Sequence, residues 1–375
     1  MPSKKKIFVI AGEISGDQIG GLILRNIKKN NNIELYGVGG KNLLKLGLKP
    51  IFNMNRISLM GLIEIIPRIP ELLYLINLTI RKIIEIKPDL IITIDAPGFN
   101  FRILKKIKEL NLKLQNIHIV APTVWAWKAN RAKKIAYYIN NLFVLFPFEK
   151  KYFTPYGIKT YFIGHPLIEI IKNKNKKNKN KYISIFPGSR RNEIIKHLEL
   201  ILSSLFNFRG DYRYVVVAVD SHISLINKII ERYKSKIMIK ILSSSKKEEV
   251  FQNSFAAIAV SGTITLELAL HKVPFFTIYK LNILSYFFLK KLVFAKYITL
   301  VNIIFNKPIV PELIQKECTK DKIVKHLGEL LINKKSYNQQ LKEFSKLETA
   351  LKNKGNFPSN LALNLIEKSL QTNNS

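Results

Sequence analysis

Cysteine is nearly absent from this chain of 375 residues, and the residues that could bind a metal do not cluster. A single cysteine, Cys318, excludes an internal disulfide and a zinc site built on cysteines, and it fits a reducing compartment. The six histidines show no ligand spacing such as His-x-x-x-His, and no Asp-x-Asp motif follows a predicted strand. We therefore expect no bound metal.

Long apolar runs are also missing. No run of about 18 uncharged apolar residues occurs, which predicts that no helix crosses a membrane. The stretch Ile7–Ala11 follows three lysines but is too short for the core of a signal peptide. Two regions, Ile57–Ile80 and Phe275–Phe305, are still unusually apolar. In the second, apolar residues alternate with lysines as in interfacial surfaces, although an ordinary core helix explains either region equally well.

Acidic residues are scarce, with 26 against 61 basic residues and a net charge of +35. Nucleic acid, an anionic lipid surface or a compositional bias toward Lys, Asn and Ile would each explain the excess. The bias is visible along the entire chain and accounts for much of it. Nucleic-acid-binding proteins concentrate basic residues on one element, whereas here they are spread. We therefore expect an anionic membrane surface as a partner, and no nucleic acid.

Short apolar runs alternate with amphipathic stretches of helix length. The runs are apolar almost throughout, which predicts strands buried on both faces, as in a parallel sheet covered by helices. The predicted strands are Lys6–Ala11, Ile33–Tyr36, Leu90–Ile94, Leu114–Val120, Asn141–Leu145, Thr160–Ile163, Tyr182–Phe186, Tyr214–Val219, Ile237–Leu242, Ala256–Val260 and Val273–Ile278. The first helix is predicted over Gly16–Lys29.

A run of lysine and asparagine, Lys172–Lys181, cannot be buried and predicts a linker at residues 172–181. It divides the α/β chain into two Rossmann-like domains, residues 1–171 and 182–320. Residues 321–375 are predicted to be helical, and we expect them to pack back toward the N-terminal domain. Ligands of such sheets bind at the carboxyl ends of the strands, so we expect the two domains to face each other across a cleft that holds the site.

Polar residues follow the predicted strands of the N-terminal domain. Gly12, Ser15 and Gly16 come after the first strand, where a glycine loop either binds an anion or forms a tight turn. Asp95 follows Leu90–Ile94 directly, before a Pro-Gly turn. There it is either a general base that takes a hydroxyl proton or a helix cap.

Two further clusters in this domain contain aromatic and titratable residues. Trp125 and Trp127, the two tryptophans of the chain, precede a basic segment. Aromatic faces suit sugar rings or acyl chains, and cations suit phosphate, although core packing explains one of the pair. His165 follows a predicted strand and either lines the cleft or forms a local hydrogen bond.

The second domain has two clusters suited to phosphate. Gly188, Ser189 and Arg190 follow its first strand, and a glycine turn at a helix start beside an arginine favours phosphate binding. Ser261-Gly262-Thr263 precedes another predicted helix, with Glu267 one turn further along the same face. A carboxylate there can accept both hydroxyls of a ribose, so the two clusters together predict a nucleoside diphosphate site.

The motifs resemble those of the lipid-A-disaccharide synthase family, inverting glycosyltransferases with two Rossmann-like domains of the GT-B type. They occur in the family's order between residue 7 and about residue 320. The matching segments are Ala11-Gly12-Glu13-x-Ser15-Gly16-Asp17, Met60-Gly61-x-x-Glu64, Ile94-Asp95-Ala96-Pro97-x-Phe99-Asn100, Pro122-x-Val124-Trp125-Ala126-Trp127, Phe146-Pro147-Phe148-Glu149, Gly164-His165-Pro166, Pro187-Gly188-Ser189-Arg190 and Ser261-Gly262-Thr263-x-x-Leu266-Glu267.

The resemblance implies a reaction. It implies transfer of 2,3-diacylglucosamine from UDP to the 6-hydroxyl of 2,3-diacylglucosamine 1-phosphate (lipid X), with inversion, giving a β-1,6-linked disaccharide 1-phosphate and UDP. The UDP-linked sugar is a substrate, so neither a cofactor nor a metal is implied. The resemblance also implies a homodimer that is cytoplasmic and peripheral on the inner membrane of a Gram-negative bacterium. Because both substrates carry acyl chains, we hypothesise that Ile57–Ile80, with Leu59, Met60 and Leu62, docks on the bilayer.

The resemblance also implies roles for individual residues. It gives Asp95 as the base and Glu13 as a second acid near the acceptor. Two positions depart from the family pattern: Gly98 stands where many relatives have an acid, and Lys128 replaces an arginine. The implied acceptor-binding residues are Ser15, Asp17, Asn100, Trp125 and Trp127, and the implied UDP-binding residues are Gly188, Ser189, Arg190, Ser261, Gly262, Thr263 and Glu267, the last at the ribose.

Two other readings remain. One is another UDP-sugar enzyme of the same fold, such as an epimerase or a peptidoglycan-type glycosyltransferase, which assays with acylated and non-acylated acceptors would separate. The other is a basic nucleic-acid-binding protein, which would retain DNA or RNA in a strongly salt-dependent way.

Overall fold

The chain divides into two units, an N-terminal unit of Met1–Glu169 with Leu351–Ser375, and a second unit of Ile170–Ala350. The computed structural model describes residues 4–27, 30, 32–57, 66–123, 130–171, 182–206, 208, 212–233, 237–281 and 296–371. The predicted linker at 172–181 lies outside these ranges. Of the C-terminal segment expected to pack toward the N-terminal domain, the part from Leu351 belongs to the first unit, whereas the part up to Ala350 belongs to the second.

A parallel sheet of seven strands forms the centre of the N-terminal unit, in the order β3-β2-β1-β4-β5-β6-β7. In the register of β1 with β4, Ala11 lies opposite Ile94, so both strands end at the same edge of the sheet. The residues that follow them, Gly12 and Asp95, are thereby neighbours. The strands are β1 (Lys5–Ala11), β2 (Ile33–Val38), β3 (Lys49–Pro50), β4 (Leu90–Ile94), β5 (Asn116–Ile119), β6 (Asn141–Val144) and β7 (Lys159–Phe162).

Helices cover both faces of this sheet, because side chains of its strands contribute to a separate apolar core on each side. The last helix of the chain completes one core with Ala362, Ile366 and Leu370, all buried. Asn26 reinforces this contact with a hydrogen bond of 2.7 Å from Nδ2 to Oδ1 of Asn360. The helices are α1 (Ile14–Ile23), α2 (Lys41–Leu44), α3 (Ile69–Ile86), α4 (Pro97–Glu109), α5 (Asn130–Ile135), α6 (Leu167–Ile171), which crosses the unit boundary, and the last helix, α14 (Pro358–Gln371).

The second unit has a parallel sheet of six strands in the order β10-β9-β8-β11-β12-β13. The central strands are almost fully buried, as their apolar sequences predict. The strands are β8 (Tyr182–Phe186), β9 (Tyr214–Ala218), β10 (Ile239–Ser243), β11 (Ser254–Val260), β12 (Phe275–Tyr279) and β13 (Glu312–Ile314). The helices are α7 (Arg191–Leu205), α8 (Ile223–Glu231), α9 (Lys247–Asn253), α10 (Ile264–Leu270), α11 (Leu300–Phe305), α12 (Lys320–Ile332) and α13 (Lys334–Ala350).

The predicted class, two Rossmann-like domains with parallel sheets, is confirmed. Two short strands, β3 and β13, were not predicted, because two or three residues carry no periodicity. The first helix ends at Ile23, earlier than the predicted Lys29. None of the described helices is both long and apolar enough to cross a membrane.

Candidate active site

Asp95 lies in a backbone turn that non-glycine residues rarely adopt. Asp95 and Ala96 have φ angles of 51° and 43°, both in the left-handed region. The side chain of Asn100 holds this turn, because Nδ2 donates to the carbonyl oxygens of Ile94 at 3.2 Å and Asp95 at 2.7 Å. The turn directs the chain sharply from β4 into α4 and leaves Asp95 at the carboxyl edge of the sheet.

Ser15 and Asp95 meet at this edge. Ser15 Oγ donates to Asp95 Oδ2 at 3.2 Å, so the structure brings two of the predicted site residues into contact. The approach is close because residue 12 is glycine: a Cβ there would lie 2.6 Å from the Cβ of Ala96. Glu13 is exposed at the N-cap of α1, beside this contact. The glycine loop after β1 therefore allows the chain segments that follow β1 and β4 to approach closely. This is the function of a tight turn, one of the two alternatives given for this loop.

The side chain of Asp17 is held by a network of hydrogen bonds, and its predicted role in acceptor binding stays a prediction. Its side chain is 3 % exposed. Oδ1 accepts from the backbone N–H groups of Gly40 and Leu43, and Oδ2 accepts from the backbone and side-chain nitrogens of Asn42, all within 3.0 Å. These four bonds occupy both carboxylate oxygens. Asp17, which belongs to α1, thereby satisfies the free backbone N–H groups at the start of α2.

Asn100 positions the Asp95 turn, and its predicted role in acceptor binding likewise stays a prediction. Its side chain is fully buried, and its amide group is used on the β4–α4 turn. Oδ1 has no hydrogen-bond partner within the described part of the chain. Trp125 and Trp127 lie outside the described residues, as do Leu59, Met60 and Leu62, so their predicted roles stay predictions.

A small cavity of about 140 Å³ opens beside the Asp95 turn. Its lining is largely apolar, with Glu13 as the one acidic residue and Arg102 as the one basic residue. Arg102 is exposed on α4, and its Nη1 donates to the carbonyl of Gly98 at 2.5 Å. The complete lining is Gly12, Glu13, Ile57, Leu72, Ile76, Ala96, Gly98, Phe99 and Arg102.

The second unit has a cavity of about 220 Å³ at the carboxyl ends of β8, β9 and β11. Six of the seven predicted UDP-binding residues line this cavity, Glu267 among them. The structure therefore brings both predicted phosphate-binding clusters to the same cavity. Glu267 is 9 % exposed, and its Oε2 lies 2.6 Å from Nζ of Lys247. The lining is Phe186, Gly188, Ser189, Glu193, Val217, Val219, Ser244, Lys247, Val260, Ser261, Gly262, Thr263, Ile264 and Glu267.

Arg190 is the predicted UDP-binding residue that does not line this cavity. Its side chain is 70 % exposed, and Nη1 lies 3.1 Å from Oε1 of Glu193, which does line it. Gly188 has a φ of +105°, a conformation that favours glycine, and a Cβ there would lie 2.9 Å from Oε2 of Glu193. The turn after β8 is therefore packed tightly against Glu193, with the guanidinium of Arg190 on its solvent side.

The turn after β11 is held by a different network. Ser261 Oγ donates to the carbonyl of Ile298 at 3.0 Å, and Glu312 accepts from the backbone nitrogens of Ile298 and Thr299. Gly262 has open space around it, because a Cβ there would meet nothing within 4 Å. The Ser261 hydroxyl thus anchors the turn, and Gly262 leaves its backbone accessible from the cavity.

Lys247, Ser244 and Arg102 were missed by the sequence reasoning. Ser244 and Lys247 follow β10, so the rule that placed the other clusters after strands would have found them. No such signal marks Arg102, because it lies inside α4 and not directly after a strand. It lines the cavity because it lies one helical turn after Gly98, on the same face of the helix.

His165 forms the local hydrogen bond that was one of its two alternatives. Nδ1 accepts from the backbone nitrogen of Leu167 at 3.3 Å, the side chain is 6 % exposed, and burial lowers the pKa of His165 to about 3. Within the described ranges, no group of three or more His, Cys, Asp or Glu is placed to hold a metal ion.

Comparison with known proteins identifies the relatives of this chain. Residues 7–364 match the family described as lipid-A-disaccharide synthetase. A lipid-A-disaccharide synthase of Rickettsia bellii is 38% identical over 379 residues, covering 97% of this chain and 99% of that protein.

Solved structures are similar in fold. The S. aureus MnaA–UDP structure aligns with a TM-score of 0.68 at 16% identity, covering 98% of this chain and 97% of the other. UDP-GlcNAc 2-epimerase from Neisseria meningitidis, bound to UDP-GlcNAc, aligns at 0.64 and 13% identity, covering 98% and 100%. At these identities the likeness concerns the fold alone, whereas the family match extends over the sequence of both units. The chain belongs to the lipid-A-disaccharide synthase family.

Proposed function

We propose that this protein transfers 2,3-diacylglucosamine from UDP to the 6-hydroxyl of 2,3-diacylglucosamine 1-phosphate, with inversion, to make the lipid A disaccharide 1-phosphate. The proposal is supported by the family match over residues 7–364. The single structural observation that carries it is the Asp95 carboxylate at the carboxyl edge of β4, in a left-handed turn fixed by Asn100.

Asp95 acts as the general base in this proposal. Inversion takes one in-line attack, so one base that removes the proton of the acceptor hydroxyl is sufficient. The hydrogen bond from Ser15 orients the carboxylate toward the surface, and Glu13 lies on the exposed loop next to it. UDP is a good leaving group, so the proposed mechanism includes neither a protein acid for departure nor a metal.

The second unit binds UDP in this proposal. The backbone at Gly188, Ser189 and Gly262 offers N–H groups to the diphosphate, and Glu267 accepts the ribose hydroxyls. Arg190 would release Glu193 and turn to the diphosphate, since an exposed pair of this kind is worth at most about 1 kcal/mol. Lys247 holds Glu267 in place and adds a cation to a site for an anion.

Asp95→Asn tests the role of the base. Turnover of UDP-diacylglucosamine with diacylglucosamine 1-phosphate should fall by about 10²- to 10⁴-fold, because the amide cannot accept the proton. UDP affinity should stay at the wild-type value, and Glu109→Gln, an exposed acid at the far end of α4, is the matched control. Wild-type turnover with non-acylated sugars but not with these two lipids would replace the proposal by the epimerase or peptidoglycan-type alternative.

Peripheral docking on the cytoplasmic face of the inner membrane is part of the proposal. Within the described residues, α3 exposes large apolar side chains: Ile69 is 45% exposed, Leu73 52% and Tyr74 58%. These residues lie within the Ile57–Ile80 region, and each nearby lysine would add about 1 kcal/mol on anionic lipid.

Leu73→Ser with Tyr74→Ser tests this surface by sedimentation with vesicles that contain phosphatidylglycerol. The double variant should pellet much less than wild type, because it loses apolar area and no charge. Ile332→Ser is the control, since Ile332 is the most exposed large apolar residue described, at 79%, and lies in the second unit. Equal pelleting of all three proteins would remove α3 from the proposal.

A homodimer is proposed from the family resemblance alone. Light scattering in detergent, over a tenfold range of protein concentration, measures the mass directly. A mass of one chain at every concentration would overturn it.

A further inference from the structure

We propose that Arg102 binds the phosphate of the lipid acceptor in the cavity beside the Asp95 turn. The inference rests on the proposed function, because the acceptor there is a phosphorylated acyl sugar. It adds a binding residue at a position that the family motifs do not include.

Arg102 is placed on the wall of this cavity by α4. It lies one helical turn after Gly98, and both residues line the cavity with Gly12 and Ala96, which flank the Asp95 turn. Nη1 is held by the carbonyl of Gly98 at 2.5 Å, so the planar guanidinium is fixed at one end. Within the described ranges no carboxylate pairs with Arg102, so the other N–H groups of the guanidinium are the donors that a phosphate requires.

Because residue 98 is glycine, no acid lies one helical turn before Arg102 on α4. A Cβ at residue 98 would meet nothing within 4 Å, so a carboxylate there would have room to turn toward Arg102, four residues later on the same face. Glycine at 98 and arginine at 102 therefore leave the cation on this face of α4 without an acid at i−4.

The rest of the cavity matches the other parts of such an acceptor. Ile57, Ile76 and Phe99 form an apolar floor and are each at most 7% exposed. Glu13 also lines the cavity, and its negative charge disfavours a phosphate beside it, so a bound phosphate is expected at Arg102. An apolar floor with one cation fits an amphiphilic phosphate ester better than a free nucleotide, which has no apolar chain to bury.

The test compares two acceptors, diacylglucosamine with and without its 1-phosphate, presented in detergent micelles to the full-length protein. Arg102→Ala should lower kcat/KM for the phosphorylated acceptor by between about 10-fold and about 100-fold, as expected for a lost charge-assisted hydrogen bond. The loss should be confined to the phosphorylated acceptor. Lys105→Ala, an exposed cation on the same helix, should leave both values unchanged.

Gly98→Asp tests the same idea without removing the arginine. Aspartate in the first turn of α4 is favourable for the helix and has open space, so the variant should fold at least as well as wild type. It should produce the same phosphate-dependent loss by pairing with Arg102. An equal loss with both acceptors in Arg102→Ala, or no loss in either variant, would overturn the inference.

Direct binding separates this inference from the proposed reaction. Calorimetric titration of the two acceptors into wild type and Arg102→Ala measures affinity without turnover. Tighter binding of the phosphorylated acceptor that depends on Arg102 supports the phosphate site even if no disaccharide forms. Normal disaccharide synthesis with no difference between the two titrations would reject Arg102 and leave the proposed function intact.

Discussion

The side-chain amide of Asn100 donates a hydrogen bond of 2.7 Å to the backbone carbonyl of Asp95, five residues earlier. A second bond from the same nitrogen reaches the carbonyl of Ile94 at 3.2 Å. Two consecutive residues with positive φ cost free energy, so a buried group that holds both carbonyls is needed to keep the turn. Asn100 is therefore coupled to the proposed base through the backbone of this turn.

Asn100→Leu should weaken this turn while keeping the side-chain volume. Loss of the two bonds should lower the free energy of unfolding by roughly 2 kcal/mol, because two buried carbonyls lose their donor. Turnover should fall, and the KM for the UDP-linked sugar should stay close to wild type because UDP is proposed to bind in the second unit. Both tryptophans belong to the N-terminal sequence, so urea titration by tryptophan fluorescence reports on this unit. Unchanged turnover would contradict the positioning role.

Asp17→Asn should destabilise the N-terminal unit with little effect on catalysis by the folded enzyme. The amide replaces one acceptor oxygen by a donor that faces backbone N–H groups, which should cost about 2 to 3 kcal/mol. Gln18→Ala, the exposed neighbour on α1, should change stability by less than about 0.5 kcal/mol. The same urea titration measures both. A large rise in acceptor KM with normal stability would instead support the predicted binding role of Asp17.

Lys247 and Glu267 should be energetically coupled in UDP binding. Lys247→Ala and Glu267→Gln should each weaken binding, the second more strongly, because it removes the proposed ribose acceptor. The double variant should lose less than the sum of the two single losses by about 1 kcal/mol, as expected for a partly exposed ion pair. Calorimetric titration with UDP gives the four affinities, and Lys246→Ala is the exposed control on the preceding residue. Simple additivity would show that Lys247 does not position Glu267.

The free energy of unfolding should fall as the pH is lowered below about 6.5, which is the ordinary pKa of histidine. Burial lowers the pKa of His118 to about 3, and the same cause lowers that of His165 to about 3. The unfolded chain therefore binds more protons than the folded chain between these values, and stability is complete above the unfolded pKa and lost on acidification. Each residue contributes a slope of about 1.4 kcal/mol per pH unit within this window.

His118→Gln isolates one of the two contributions. The variant and wild type are unfolded by urea at several pH values between about 4.5 and about 7, a range that extends about two units below the histidine pKa. The free energy of unfolding of the variant should change less steeply with pH than that of wild type, by about 1.4 kcal/mol per pH unit. A slope that His118→Gln does not reduce would show that His118 is protonated in the folded state.

The sheets and the polar residues at strand ends could be predicted from the sequence. Strands such as Leu90–Ile94 have a continuous apolar sequence that only burial on both faces explains. Asp95 and Glu267 could be predicted because each follows such a strand or its turn, where the chain order fixes the position.

Long-range partners could not be predicted in the same way. The four donors that surround Asp17 come from residues 40–43, and nothing in the local sequence of α1 indicates that they meet it. Lys247 reaches Glu267 across 20 residues through the arrangement of β10 and β11 in the sheet. The bonds of Asn100 to the backbone could not be predicted either, because they depend on the left-handed turn that precedes its helix.

The return of α14 to the N-terminal unit determines when this unit can fold during synthesis. Ala362, Ile366 and Leu370 belong to the core that also contains Ile7 and Val9, and the backbone nitrogen of Ser359 donates to Glu169. A nascent chain that has emerged from the ribosome only as far as residue 169 therefore presents a sheet face that is only partly covered, because the residues of α14 are missing from its core. The second unit, which is continuous in sequence, can form while that face still waits for its last helix. Chaperones that bind apolar segments should accordingly associate with the N-terminal half until the end of translation.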